Sequence, residues 1–464
     1  WKYFEEISKI PRCSGKEHQV RKFIKNFARG AGLRFKEDSA GNILVFKPAL
    51  NSCSKRTVVL QSHLDMVCEK GRETKFNFLN DALELRKTGN FIEASGTTLG
   101  ADNGIGVAAM LAVLSDKKMR HPPLECLFTV SEETGLIGAS RIPGSFLSGR
   151  IFLNLDSEEE GTVCTGSAGG ASVVLKMPVI FTALSEQSFS EFEVSVSGLR
   201  GGHSGMDIHK KRASAIKILT EILNGLCRMF DIRISKIEGG TKINAIPRAA
   251  SASVFISEKQ VQGFKNFLKE HMGEIKERYG DEKRLKIQWE NRKGVGEYFC
   301  AGSGIITFLS KLPHGVIKRN KAGVVTSANF AILRTGKKWL KMRYLCRSSS
   351  INGMGILIKK LEALGKQYNC LFSSKDVFPA WEPVSNSRIL GISRMTYRKI
   401  FSKKLRVKTV HAGLECGVIG KKFGGMDMIS IGPDIENAHT PSERVKISSV
   451  RKFYEFLKGL LKEL

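Results

Sequence analysis

Gly100-Ala-Asp-Asn-Gly-Ile-Gly106 places one carboxylate, Asp102, in a glycine-rich turn directly ahead of an apolar run, residues 107–114. Glycines accept backbone angles that other residues resist, so an acid there can be held at a fixed point beside a helix start. Alone, an Asp in such a turn is more often a helix cap than a ligand. Its company changes the reading: His63-Leu-Asp65 precede it, and Glu132-Glu133, Asp156 and His439 follow. Together these residues read as one two-metal hydrolytic site with Asp102 as the bridge.

Working outward, short β-rich runs at 42–46, 57–64 and 91–94 lead into the turn. The predicted helix at 107–114 is followed by a strand at 124–130, a short helix at 137–141 and a strand at 151–155. Strand and helix in alternation, with apolar β-branched strands, is the pattern of an α/β layered sheet. Ligands of such sheets collect beyond the carboxyl ends of the strands. His63, Glu132 and Asp156 each fall at such an end, an independent reason to group them.

Near residues 181–187 the texture changes. Residues 191–197 alternate polar and apolar, as a half-exposed strand should. Two rounds of strands and helices follow: a helix at 210–228, strands at 231–237 and 249–256, a helix at 258–279, then a helix at 304–312, strands at 323–333 and 339–347, and a helix at 352–367. The expectation is a catalytic domain of residues 1–186 and 377–464, interrupted by an inserted α+β domain of residues 187–376. His439 lies in the returning portion, so the site requires that portion to pack back on the first.

The 464 residues, 42% apolar and 26% charged, are ample for large cores. No apolar run reaches the ~20 residues that span a bilayer, and no signal-peptide pattern opens the chain, which begins at Trp1. The ten cysteines show no CxxC and no regular spacing, so reduced thiols in a cytoplasmic protein are expected. The formal charge of +29 raises nucleic acid or an anionic membrane as partners. Much of it sits in two acid-free stretches, 299–361 and 383–414. Neither carries zinc-finger spacing, an RNP-like aromatic motif or a basic zipper, so the charge reads as a generally basic surface. Nucleic acid and membrane are not expected partners, although a basic anion- or RNA-binding protein with a vestigial hydrolase core is an alternative from another class.

The chemistry of the cluster is specific. His63 and Asp65, at i and i+2 of an extended segment, point the same way, so one can ligate while the other tunes its imidazole. Glu132 and Glu133 are neighbours and need not face the same way; one can bind metal while the other carries protons. Asp156 ends an apolar strand, where a carboxylate without a partner would be costly. His439 supplies a second imidazole. Three carboxylates against two divalent ions leave +1, which one bridging hydroxide neutralises, and two ions ~3.5–4 Å apart can acidify that water towards pKa ~7. With no thiolate in the set, zinc is expected, with manganese or cobalt as substitutes.

These residues sit in stretches that resemble the M20 metallopeptidases, and within them the aminoacyl-histidine (Xaa-His, β-alanyl-histidine) dipeptidase branch. The stretches are Ser62-His-Leu-Asp-Met-Val67, Thr97-Thr-Leu-Gly-Ala-Asp-Asn-Gly-Ile-Gly106, Ser131-Glu-Glu-Thr-Gly-Leu-Ile-Gly-Ala139, Asn154-Leu-Asp-Ser-Glu-Glu-Glu-Gly161, Gly201-Gly-His-Ser-Gly205, His411-Ala-Gly-Leu-Glu-Cys-Gly417 and Gly432-Pro-Asp-Ile-Glu-Asn-Ala-His-Thr-Pro-Ser-Glu-Arg444. The resemblance runs from Tyr3 to the last helix. It implies a zinc-peptidase-like domain, a mixed sheet flanked by helices, with an inserted lid and dimerisation domain. It implies that Asp102 bridges two ions, His63 and Asp156 completing one shell and Glu133 and His439 the other. Glu132 is then the general base and Asp65 the support of His63. His203 is expected to stabilise the tetrahedral oxyanion, and Asn244 and Arg347 to bind substrate, Arg347 by forking onto a carboxylate. The implied activity is hydrolysis of Xaa-His and other unblocked dipeptides by a cytoplasmic homodimer paired through its lid. A carboxypeptidase or an N-acyl-amino-acid amidohydrolase is the alternative within the class.

Overall fold

The computed structural model describes residues 1–52, 54–184, 189–292, 296–301, 304–320 and 323–464. Strand Val58–His63 lies between Leu124–Thr129 and Ile151–Asn154 and runs parallel to both. Asp427–Ser430 runs parallel to Ile151–Asn154 in turn. Four neighbouring strands therefore deliver their carboxyl ends to one edge of the sheet. Ile43–Lys47 and Phe35–Glu37 extend it antiparallel on one side, and Thr162–Ser167 and Arg406–Val410 complete eight strands on the other. The sheet is mixed.

Every residue of Val58–His63 is buried, as a central strand covered on both faces must be. Val58 and Leu60 face one core, with Phe4, Met110, Phe453 and Leu457. Val59 faces the other, with Phe152, Trp381 and Ile419, the two-residue alternation of a pleated strand. Helix Ala101–Ser115 buries twelve of its fifteen residues, which suits its nearly unbroken apolar sequence.

This sheet belongs to a unit made of Trp1–Ser167 and Phe378–Leu464, while Ala168–Val377 form a second unit. The second carries a ten-stranded sheet, its strands antiparallel from Lys286–Arg292 through to Gly169–Pro178. Helices Ala215–Met229, Val261–Arg278, Gly304–Lys311 and Ile351–Gln367 contribute Leu219, Phe264, Phe308 and Leu361 to its single core. The inserted unit is thus α+β.

The division differs from the expected one at its first boundary. Positions 186 and 187 themselves lie outside the described residues, but the chain has already crossed by Ala168: Gly169–Pro178 pairs with Trp339–Ser348, deep in the inserted sheet. The expectation of reduced thiols throughout is also corrected. Cys13 and Cys68 form a disulfide, with Cα atoms 5.7 Å apart and a sequence separation of 55. Local spacing could not show it, because the pair meets only where Cys13 runs beside Met66, just past strand Val58–His63.

Candidate metal centre and active site

The convergence of the site follows from the four parallel strands. His63 is the last residue of its strand, Glu132 and Glu133 follow Leu124–Thr129, Asp156 follows Ile151–Asn154, and His439 lies in the segment after Asp427–Ser430. Asp102 reaches the same place from the amino end of helix Ala101–Ser115. Gly100, ahead of it, has φ +65°, and a Cβ there would run into the Arg12 guanidinium and Met66. Gly106 is equally confined, by Ser62, Asn103 and the carbonyl of Leu155. The Asp102–Asn103 peptide is cis.

Asp102 faces a different imidazole with each oxygen. Its Oδ1 is 3.1 Å from His63 Nε2 and its Oδ2 is 3.1 Å from His439 Nε2. Asp156 Oδ1 lies 3.4 Å from His63 Nε2, and Glu133 Oε1 lies 2.9 Å from His439 Nε2. Two half-sites result, His63–Asp102–Asp156 and His439–Asp102–Glu133, with donor atoms in each within 4.8 Å of one another. A third grouping, His63–Glu132–Glu133, places Glu132 against both halves. The imidazole of His63 is buried, whereas His439 is 49% exposed, so the centre opens on the His439 side.

The electrostatics call for added positive charge. Asp156 Oδ1 and Glu133 Oε1 are buried, each beside an imidazole nitrogen that Asp102 also approaches. Burial pushes Asp156 up to about 7 and raises Glu132 and Glu133 as well, the surrounding carboxylates adding to the effect. Burial alone would raise Asp102 too, yet hydrogen bonds from His439 and His63 hold it well below the carboxylate range. His439, despite its desolvation, is pushed up to about 12 by Asp102 and Glu133. A desolvated cluster in which four carboxylates crowd two imidazoles fits two divalent ions, each half-site offering one imidazole and one further carboxylate around the shared Asp102.

Asp65 supports the site in a way the extended spacing only half describes. His63 Nδ1 donates to the backbone carbonyl of Asp65 at 3.0 Å, with the Asp65 carboxylate farther off at 3.5 Å. That carboxylate instead accepts the backbone N–H groups of Glu132 and Glu133, at 3.0 and 3.2 Å, and the Ser14 hydroxyl at 2.7 Å. Asp65 thereby fixes the turn that carries the two glutamates and fixes the His63 tautomer with Nε2 free for the centre.

His203, Asn244 and Arg347 belong to the inserted unit and gather there. His203 and Asn244 lie on adjacent paired segments, His203 opposite Ala245, and the Asn244 carbonyl accepts the Ser204 N–H at 2.8 Å. Arg347 Nη2 is 3.3 Å from His203 Nε2. The Met206 N–H donates to His203 Nδ1, which leaves the proton on Nε2. Two donors therefore stand side by side, a geometry that suits an oxyanion or carboxylate. Burial pulls Arg347 down to about 10.

Three buried charged residues around the centre carry no sequence signal of their own: Arg12, Glu415 and Glu443. Glu415, in His411-Ala-Gly-Leu-Glu-Cys-Gly417, accepts from Thr129 and Gln61 beneath the strand ends. Glu415 and Glu443 each lie inside a stretch that marks the family resemblance, which is the signal that finds them, whereas Arg12 lies in none of those stretches. The exposed lysines and arginines of the acid-free stretch, Lys318, Arg319, Lys337, Lys338 and Lys341, belong to a solvated face of the inserted unit.

Comparison with known proteins yields the following. Residues 194–283 match the family model of the M20 peptidase dimerisation domain. Over its whole length the chain is 36% identical to the cytosol non-specific dipeptidase of Escherichia coli K12, covering 97% of that protein. It is similar in structure to an aminoacylhistidine dipeptidase from Vibrio alginolyticus, with a TM-score of 0.86 and 33% identity over 100% of this chain and 96% of that one. The aminopeptidase PepT of Bacillus cereus shares the fold at 16% identity, with a TM-score of 0.58 and coverage of 100% and 97%.

Proposed function

The chain belongs to the M20 family of metallopeptidases, and on that premise we propose that it is a metal-dependent dipeptidase cutting Xaa-His and other unblocked dipeptides. One observation carries the reading: the two oxygens of Asp102 face His63 and His439, each joined by a further carboxylate. Two divalent ions bound there would acidify a water and polarise the scissile carbonyl. The donor set of nitrogen and oxygen favours zinc, with manganese and cobalt able to substitute.

The chain's own groups do the rest. Glu132 is raised by its burial, so it can accept a proton from the attacking water and return it to the leaving amine. Asp65, through the Glu132 and Glu133 amides, holds that base in register with His63. His203 and Arg347 offer paired donors for the oxyanion and the free carboxylate of a dipeptide, with Asn244 beside them. Pairing of two copies through the inserted unit is supported by the dimerisation-domain match. A cytoplasmic location is supported by the name of the E. coli relative, and no described helix is long and apolar enough to cross a membrane.

The test is a panel of substrates. A chelator should abolish cleavage of carnosine-like and Xaa-His dipeptides, and zinc, manganese or cobalt should restore it. N-acetylated dipeptides should be cut at least tenfold more slowly; faster cutting of the blocked series would replace the dipeptidase reading with an amidohydrolase.

A further inference from the structure

We propose that Glu443, seconded by Arg12, is a positioning residue that sets where the shared carboxylate of Asp102 stands. The inference rests on the reading of Asp102 as the bridge between two ions. Glu443 is 2% exposed and reaches none of the groupings that could hold a metal. Both its oxygens are spent on backbone instead. Oε2 accepts the N–H groups of Leu99 and Gly100 at 2.9 and 3.0 Å, and Oε1 those of Ala101 and Asp102 at 2.8 and 3.3 Å. Four successive amides at the start of helix Ala101–Ser115 thus converge on one carboxylate. That is the place where a helix leaves its N–H groups unpaired, and Gly100 has no side chain to cap them.

Arg12 holds the same loop from its other side. Its guanidinium donates to the Gly100 carbonyl at 2.5 Å and to the carbonyls of Leu64 and Asp65 at 3.1 and 3.2 Å. The Asp65 carbonyl is also the acceptor for His63 Nδ1. One buried cation therefore ties the Asp102 loop to the segment that orients His63. Glu443 follows His439 by four residues and donates its own N–H to the Thr440 carbonyl. The carboxylate that fixes Asp102 is thus carried on the segment that presents His439. This cross-brace links both imidazoles to the two oxygens they face.

The test is Glu443→Gln, which keeps the shape, removes one acceptor oxygen and turns an NH2 towards backbone donors. Zinc uptake by the metal-free variant is measured by calorimetric titration, alongside its thermal midpoint, kcat and KM. A positioning role predicts zinc affinity ~10–100-fold weaker in a folded protein, with kcat reduced at saturating metal and KM for dipeptide within about twofold. Glu443→Asp should recover part of both losses. A variant that melts earlier yet binds zinc and turns over like the parent makes Glu443 a helix cap only and overturns the proposal. Should Glu443→Gln fail to fold, Arg12→Lys is read by the same two quantities and decides by the same criteria. A parent chain that takes up fewer than two ions would instead sink the reading on which the inference rests, so the two failures are told apart.

Discussion

Asp102 Oδ2 lies 3.1 Å from His439 Nε2 although 337 residues separate the two in sequence. The contact exists because Asp427–Ser430 joins the parallel set beside Ile151–Asn154 and delivers the following segment to the same edge as His63. Loss of the shared group should therefore damage both half-sites at once. Asp102→Asn is expected to lower bound metal from two ions per chain to fewer than one by elemental analysis. Activity should fall ~10³-fold or more, since metal-ion stabilisation of the transition state is worth several kcal/mol. Retention of one tightly bound ion with partial activity would assign Asp102 to a single metal.

Glu132 and Glu133 are adjacent, and substitution tests the different duties proposed for them. Glu133 Oε1 stands 2.9 Å from His439 Nε2, inside one half-site. Glu132→Gln should leave two ions bound while kcat falls ~10²–10⁴-fold, the range for removal of a general base. Glu133→Gln should instead weaken metal binding first. If Glu132→Gln loses metal and Glu133→Gln does not, the roles are exchanged.

The ends of the parallel strands were legible because each acid or imidazole follows an unbroken apolar run, as in Ile151–Asn154 before Asp156. The bridging turn was legible from its glycines. Other parts were hidden for physical reasons. The change of texture falls near residues 181–187, after Gly169–Pro178 has already joined the inserted sheet, so the expected boundary falls too late. Helix Glu415–Phe423 is nine residues long and carries two glycines, which weakens its helical pattern. Glu443 binds only backbone amides, whose positions no side-chain pattern announces. Asp65 meets His63 as the i, i+2 spacing expects, its carbonyl 3.0 Å and its carboxylate 3.5 Å from Nδ1, but nothing in that spacing announces that the carboxylate also holds the glutamate turn.

Protons and metal compete for this centre, and the sign can be worked out. In the metal-free chain burial pushes Asp156 up to about 7, and contact with Asp102 and Glu133 lifts His439 to about 12 against its desolvation. Both folded values lie above the ordinary ones of 3.8 and 6.5. The stabilisation from His439 is therefore whole below about 6.5 and lost as pH rises towards 12, and that from Asp156 is whole below about 3.8 and lost through 7. Metal must displace these protons. Between pH 6 and 7 the apparent zinc affinity should rise roughly 10- to 100-fold, one decade per proton released. A chelator-competition series that is flat over that interval would refute the proton count.

The Cys13–Cys68 disulfide ties the segment of Arg12 and Ser14 to the end of the His63 strand. Closing a loop of that length contributes ~4 kcal/mol in the chain-entropy account. Dithiothreitol should therefore lower the urea midpoint of the first unit. Turnover should change little, because the Ser14–Asp65 bond and the Arg12 bonds to carbonyls hold the same segments without the sulfurs. Activity lost in step with the thiols released would instead make the bond part of the site's support.

Arg347 Nη2 and His203 Nε2 are 3.3 Å apart, and the Met206 N–H on Nδ1 leaves both atoms as donors. An anion set across the pair could accept from both, which is the role proposed for them. The substrate offers two, its free carboxylate and the oxyanion of the tetrahedral state. His203→Ala should lower kcat/KM ~10²–10³-fold, the loss seen when one oxyanion donor is removed. Arg347→Lys keeps the charge but not the fork. If both side chains grip one anion, the double variant should lose less than the two single losses combined, with a coupling of ~0.5–3 kcal/mol; independent sites would add to within ~0.5 kcal/mol. Kinetics on a dipeptide and on its C-terminal amide then say which anion is held, because only the carboxylate contact disappears in the amide.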